Sequence, residues 1–62
     1  MTKSEIKDLS YVIWKLLKEE QREEYYYDTG VIGFVETICD LARFDINEFT
    51  YEELDQLIQK LN

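Results

Sequence analysis

Histidine and proline are absent from this 62-residue sequence, cysteine occurs once and glycine twice. Without histidine there is no Cys/His zinc site and no imidazole for acid–base work near neutral pH. With Cys39 alone, no intramolecular disulfide can form, and a lone thiol suits a reducing compartment. The absence of proline, and of glycine before Gly30, leaves nothing local to stop a helix in the first half of the chain. Long apolar runs are missing as well: the longest uncharged stretch, Thr29 to Val35, falls far short of a membrane span of about 20 residues. The polar start Met1-Thr2-Lys3-Ser4-Glu5 does not read as a signal peptide. These features predict a cytoplasmic protein (host-cell cytoplasm if phage-encoded) with no membrane partner.

Positive charge is also scarce. Seven Lys and Arg stand against fourteen Asp and Glu, a net charge of −7. The first 18 residues are slightly basic, with Lys3, Lys7, Lys15 and Lys18 against Glu5 and Asp8. Residues 19–55 carry twelve carboxylates opposed only by Arg22 and Arg43. Such a field repels phosphates and anionic membranes and attracts basic protein surfaces, so direct nucleic-acid binding is disfavoured. What is present is apolar and aromatic content, at 45% and 15%, too much for a disordered chain. The length allows one domain, 1–62, with a small core.

The apolar spacing predicts an all-α fold, a small three-helix bundle with helices over about 3–27, 31–44 and 51–61. Thr2-x-x-Glu5 is a capping box, followed by Ile6, Leu9, Ile13, Leu16 and Leu17 at helical spacing, with Val12 widening the stripe. Trp14 and Tyr11 fall outside it. Past Leu17 the same face meets Glu20, Glu23 and Glu24, which a core does not accept. The first helix therefore either bends or ends near Gln21, or overhangs: 25 residues would reach about 37 Å, against roughly 21 Å for the next helix. Asp28-Thr29-Gly30 marks a turn. The segment Val31–Phe44 is apolar around most of its circumference, as in the central helix of a bundle. Thr50-x-x-Glu53 is a second capping box, with Phe49 placed to staple against Leu54, and Tyr51, Leu54, Leu57, Ile58 and Leu61 form the last stripe.

Little in the sequence points to catalysis. Ser4 and Ser10 lack a neighbouring base, and Cys39 lies in the most apolar segment beside Asp40, the opposite of the electropositive setting a reactive thiol needs. The expectation is a non-enzyme without cofactor or metal. Asp45-x-Asn47 opens like a calcium loop, but the sixth position is Thr50 and the twelfth Gln56, where such loops require Gly and Glu. Asp28-Thr29-Gly30 stands where helical carrier proteins hold a modified serine, and no serine is there.

The most distinctive stretch runs Glu19-Glu20-Gln21-Arg22-Glu23-Glu24-Tyr25-Tyr26-Tyr27-Asp28. Consecutive tyrosines on a helix point about 100° apart, so Tyr25, Tyr26 and Tyr27 cannot all face one core. Tyrosine combines apolar area with a hydroxyl and few rotors, which suits it to interfaces. The stretch therefore predicts a partner-binding surface composed of Glu19, Glu20, Glu23, Glu24, Tyr25, Tyr26, Tyr27 and Asp28, with tyrosines as anchors and carboxylates steering. The expected partner is a larger protein with a basic surface. In its sharper form that partner is a nucleic-acid-binding protein, whose groove carboxylates would enter as a DNA mimic does. Small acidic inhibitors of the phage and plasmid anti-defence type, including anti-CRISPR proteins, offer an analogy of kind. The alternative is a homodimeric structural or assembly subunit, closed by the tyrosines, Trp14 and spare apolar surface.

Overall fold

A computed structural model describes residues 1–62. Four helices follow one another: α1 over Lys3–Leu16, α2 over Glu19–Asp28, α3 over Val31–Leu41 and α4 over Tyr51–Leu61, with a 3₁₀ turn at Ile46–Glu48 before the last. There are no strands, and the fold is a small all-α bundle. The continuous first helix does not form. The chain breaks at Leu17 and Lys18, which adopt extended backbone angles, about one turn before the bend expected near Gln21. Nor is there an overhang: the longest dimension of the molecule is 29 Å, shorter than the ~37 Å of an unbroken helix.

No proline or glycine makes this break, and polar side chains satisfy both helix ends. Gln21 Oε1 accepts the Lys18 backbone N–H at 2.9 Å, closing the first turn of α2. Arg22 reaches back to the C-terminus of α1, where Nε donates to the Trp14 carbonyl at 3.0 Å and Nη2 to the Lys15 carbonyl at 3.1 Å. A helix end leaves these carbonyls without their i+4 amide partners, and a cation there also suits the helix dipole. The Leu17 N–H serves the Ile13 and Trp14 carbonyls. With the break, Lys15 lies over the Tyr11 ring, as does Lys60 from α4, at 5.3 and 5.0 Å.

The break lets α2 fold back beside α3, which also contacts α1 and α4 and is the central helix. Its core face carries Val31, Phe34, Val35, Ile38 and Cys39. The buried line of α1 is Ile6–Ser10–Trp14, not the predicted stripe: Leu9, Ile13 and Leu17 flank it, while Val12 and Leu16 point outward. Trp14 is decisive. It sits at the joint, edge-on to Phe34 at 4.9 Å and in aromatic contact with Tyr25 and Tyr26, and burying its large ring outweighs burying Leu16.

Chain reversals follow from backbone chemistry. Gly30 has φ 79° and ψ 179°, a region essentially reserved for glycine. It ends α2 and caps α3 at once. At the far end, α3 stops at Leu41 rather than Phe44. Arg43 takes a left-handed φ of 54°, its N–H bonds to the Asp40 carbonyl, and the Phe44 N–H reaches the Cys39 carbonyl at 2.8 Å. This is a Schellman closure, with arginine where glycine is usual. Both predicted capping boxes are present, Thr2 with Glu5 and Thr50 with Glu53. Phe49 is buried and Leu54 packs against the same cluster, but Tyr51 leaves its predicted stripe and is 91% exposed.

Candidate protein-binding surface

Helix α2 is amphipathic in charge rather than in hydropathy, and it buries no residue completely. Its inward side holds Arg22, spent on α1, and Tyr25, half-buried and edge-on to Phe34 at 5.4 Å. Tyr26 sits at the margin, half exposed, with its ring T-shaped against Trp14 at 5.8 Å. The outward side holds the rest. Glu20, Glu23, Glu24, Tyr27 and Asp28 line one shallow depression along the helix, and Tyr27 is 89% exposed among them. Positions 20, 23, 24 and 27 recur at three- and four-residue spacing, which puts them on one face. Glu19 is exposed at the first turn, outside that depression.

The stretch singled out in the sequence is thus divided. Five of its eight candidate residues share a face; Tyr25 is turned to the core and Tyr26 is shared between Trp14 and solvent. Tyr27 is the tyrosine left free to anchor a contact.

No cation within the molecule answers this face. Both ion pairs use Glu53, with Lys3 at 3.2 Å and Lys7 at 4.0 Å. The sole basic residue of α2, Arg22, points away. Two other carboxylates are occupied by backbone: Glu5 accepts the Thr2 N–H and Asp45 the Asn47 N–H. The Asp45–Asn47 pair is therefore a turn that starts the 3₁₀ segment, and no group of three or more acidic or thiol side chains is arranged to hold a metal ion. Backbone hydrogen bonding at Thr2 and Thr50 lowers the pKa values of Glu5 and Glu53; for Glu53 the bond from Lys3 adds to it. Cys39 is buried, and burial first, then the negative charges of Asp40, Asp45 and Glu36, raise its pKa. That is the reverse of an activated thiolate.

No protein-family model, curated protein or solved structure matches the chain. No helix is long and apolar enough to cross a membrane.

Sequence reasoning missed two features. Arg22 is a helix cap, a role that only the break in the helix reveals. A second concave surface, between α3 and the start of α4, brings together Ile32, Ile46, Phe49, Tyr51 and Leu54. The exposure of Tyr51 could not be read from its spacing, because it continues the apolar period of α4 into the first turn.

Proposed function

We propose that the chain is a small acidic protein-binding module, an inhibitor or regulator that docks the outward face of α2 on a basic surface of a larger protein. One observation carries this reading: Tyr27 stands 89% exposed among Glu20, Glu23, Glu24 and Asp28, and no cation of the chain neutralises them. A face of like charges costs stability through self-repulsion, and a basic partner offsets that cost while the carboxylates raise the association rate. Tyr27 supplies the apolar area that charge alone lacks. The sharper form has a nucleic-acid-binding protein as partner, with carboxylates in place of phosphates, as in phage and plasmid anti-defence inhibitors. Exposed carboxylates also stand on α3 (Glu36, Asp40) and α4 (Glu52, Asp55), which supports a charged surface wider than one helix. The role is binding rather than catalysis, in keeping with the buried, charge-suppressed thiol of Cys39.

The test is affinity capture from host lysate with the tagged protein and with its E20K/E23K/E24K variant, each washed at rising salt. The expected result is one basic protein retained by the natural sequence at low salt, released at high salt and absent from the variant. Equal capture by both, with the same salt dependence, overturns the electrostatic contact. A homodimer is the second reading, favoured by Val12 and Leu16, which lie one turn apart on α1 and are 54% and 77% exposed. Light scattering across a concentration series distinguishes it.

A further inference from the structure

The outward face of α2 is not the only surface without an internal partner. Between α3 and the start of α4, Ile32, Ile46 and Leu54 lie half-buried around the edge of buried Phe49, with Tyr51 and Glu36 beside them in the same depression. It shares no residue with the depression on α2. Apolar side chains line most of it, and Tyr51 is 91% exposed. Tyr51 thus adds an open aromatic ring to a contiguous apolar hollow, and contiguous exposed apolar surface marks interaction sites.

The surrounding charge identifies the occupant. From Val31 to Gln59 the chain carries seven carboxylates and a single cation, Arg43. Arg43 does not line the depression, nor does any lysine, whereas Glu36 does. Apart from Glu53, which Lys3 and Lys7 engage, these carboxylates have no ion pair. A second copy of this chain would bring the same −7 charge, so the net field disfavours a copy-to-copy contact at this acidic surface. A membrane surface with anionic lipid would be repelled likewise. A segment with apolar residues on one side and lysine or arginine on the other matches both the hollow and the field.

We propose that this depression is a second docking site, which takes the apolar side chains of a basic amphipathic helix while Glu36 and its neighbouring carboxylates engage the cations. It goes beyond the α2 contact and does not depend on it. Ile32, Leu54 and Ile46 grip the apolar stripe, and Tyr51 closes over it from the first turn of α4.

The probe is a synthetic helical peptide of about 14 residues, roughly four turns, with leucine at helical spacing and lysine elsewhere; its control has serine for every leucine at the same charge. Titration into isotopically labelled protein is followed through methyl and amide NMR signals. The expected result is saturable shifts of the Ile32, Ile46 and Leu54 methyls with the leucine peptide, and at least tenfold weaker binding to an E36K/Y51A variant, whose two sites are exposed and safe for folding. Amide shifts confined to Glu20–Asp28 report on the α2 contact instead, and if they appear alone this proposal falls while that one stands. Equal binding of the serine control, or no loss in E36K/Y51A, overturns it. Groove methyl shifts that follow protein concentration without peptide assign the surface to a second copy and also overturn it.

Discussion

Removing Arg22 tests the account of why the first helical segment breaks where it does. Its guanidinium donates to the Trp14 and Lys15 carbonyls and lies over the Trp14 ring with its central carbon 5.9 Å from the centroid. In Arg22→Met the stem remains and the donors go. A hydrogen bond to a charged group contributes about 1.5–3 kcal/mol net. The Lys15 half is exposed and water can replace it, and the Trp14 carbonyl keeps the Leu17 N–H at 3.3 Å, so the expected loss is about 2 kcal/mol, in the lower part of that range. In a domain this small 1 kcal/mol shifts Tm by roughly 4–8 °C, so Tm should fall by about 8–16 °C. Urea unfolding followed by circular dichroism and by the emission of Trp14 gives the first number, and a thermal melt gives the second. Arg22→Met also makes the chain more negative, so Lys18→Met is the control: it removes the same charge, and the Lys18 side chain makes no hydrogen bond to the C-terminus of α1. Equal destabilisation by the two variants, or a loss below about 0.5 kcal/mol in Arg22→Met, the range of an ordinary surface substitution, would refute the capping role.

Arg43→Gly should stabilise the fold by about 0.5–1 kcal/mol, because its φ of 54° is strained for arginine and natural for glycine; a lower urea midpoint would show that the arginine side chain holds something the turn needs. Ser10 has a fully buried hydroxyl without a hydrogen-bond partner, so Ser10→Ala should raise stability by about 1 kcal/mol, and a thermal scan that shows a loss would contradict that. Glu53 has a pKa lowered by its bonds to Thr50 and Lys3, so it stabilises the fold fully above the unfolded glutamate value of about 4.3, and that stabilisation fades as pH falls through the lowered folded value. The natural sequence should therefore exceed Glu53→Gln in stability at pH 7 and converge with it in acid; a gap that stays constant with pH would remove the linkage.

The helical class and most element limits were legible in the sequence because they depend on short-range physics. Thr2–Glu5 and Thr50–Glu53 act within four residues, and both boxes form as their spacing predicts. The apolar circumference of Val31–Phe44 marks the central helix for the same reason, although that helix stops at Leu41. The candidate site was legible in part. Carboxylate spacing put Glu20, Glu23 and Glu24 on one side of a helix, but the three tyrosines could be separated only by knowing which way that helix turns. Once α2 folds against α3, Tyr25 meets Phe34, Tyr26 meets Trp14, and Tyr27 is left in solvent.

Composition and periodicity by themselves determined that this chain is helical, acidic and short of internal countercharge, since those properties belong to residues one or two turns apart. The tertiary structure alone decided the break at Leu17–Lys18, because the group that stabilises it, Arg22, acts across a joint whose sequence continues to favour helix. It also decided which line of α1 is buried, since the Trp14 ring finds Phe34 and Tyr25 only after α2 has folded back. The exposure of Tyr51 and the hollow beside it were decided the same way, for α3, the 3₁₀ turn and α4 create that surface only when they meet.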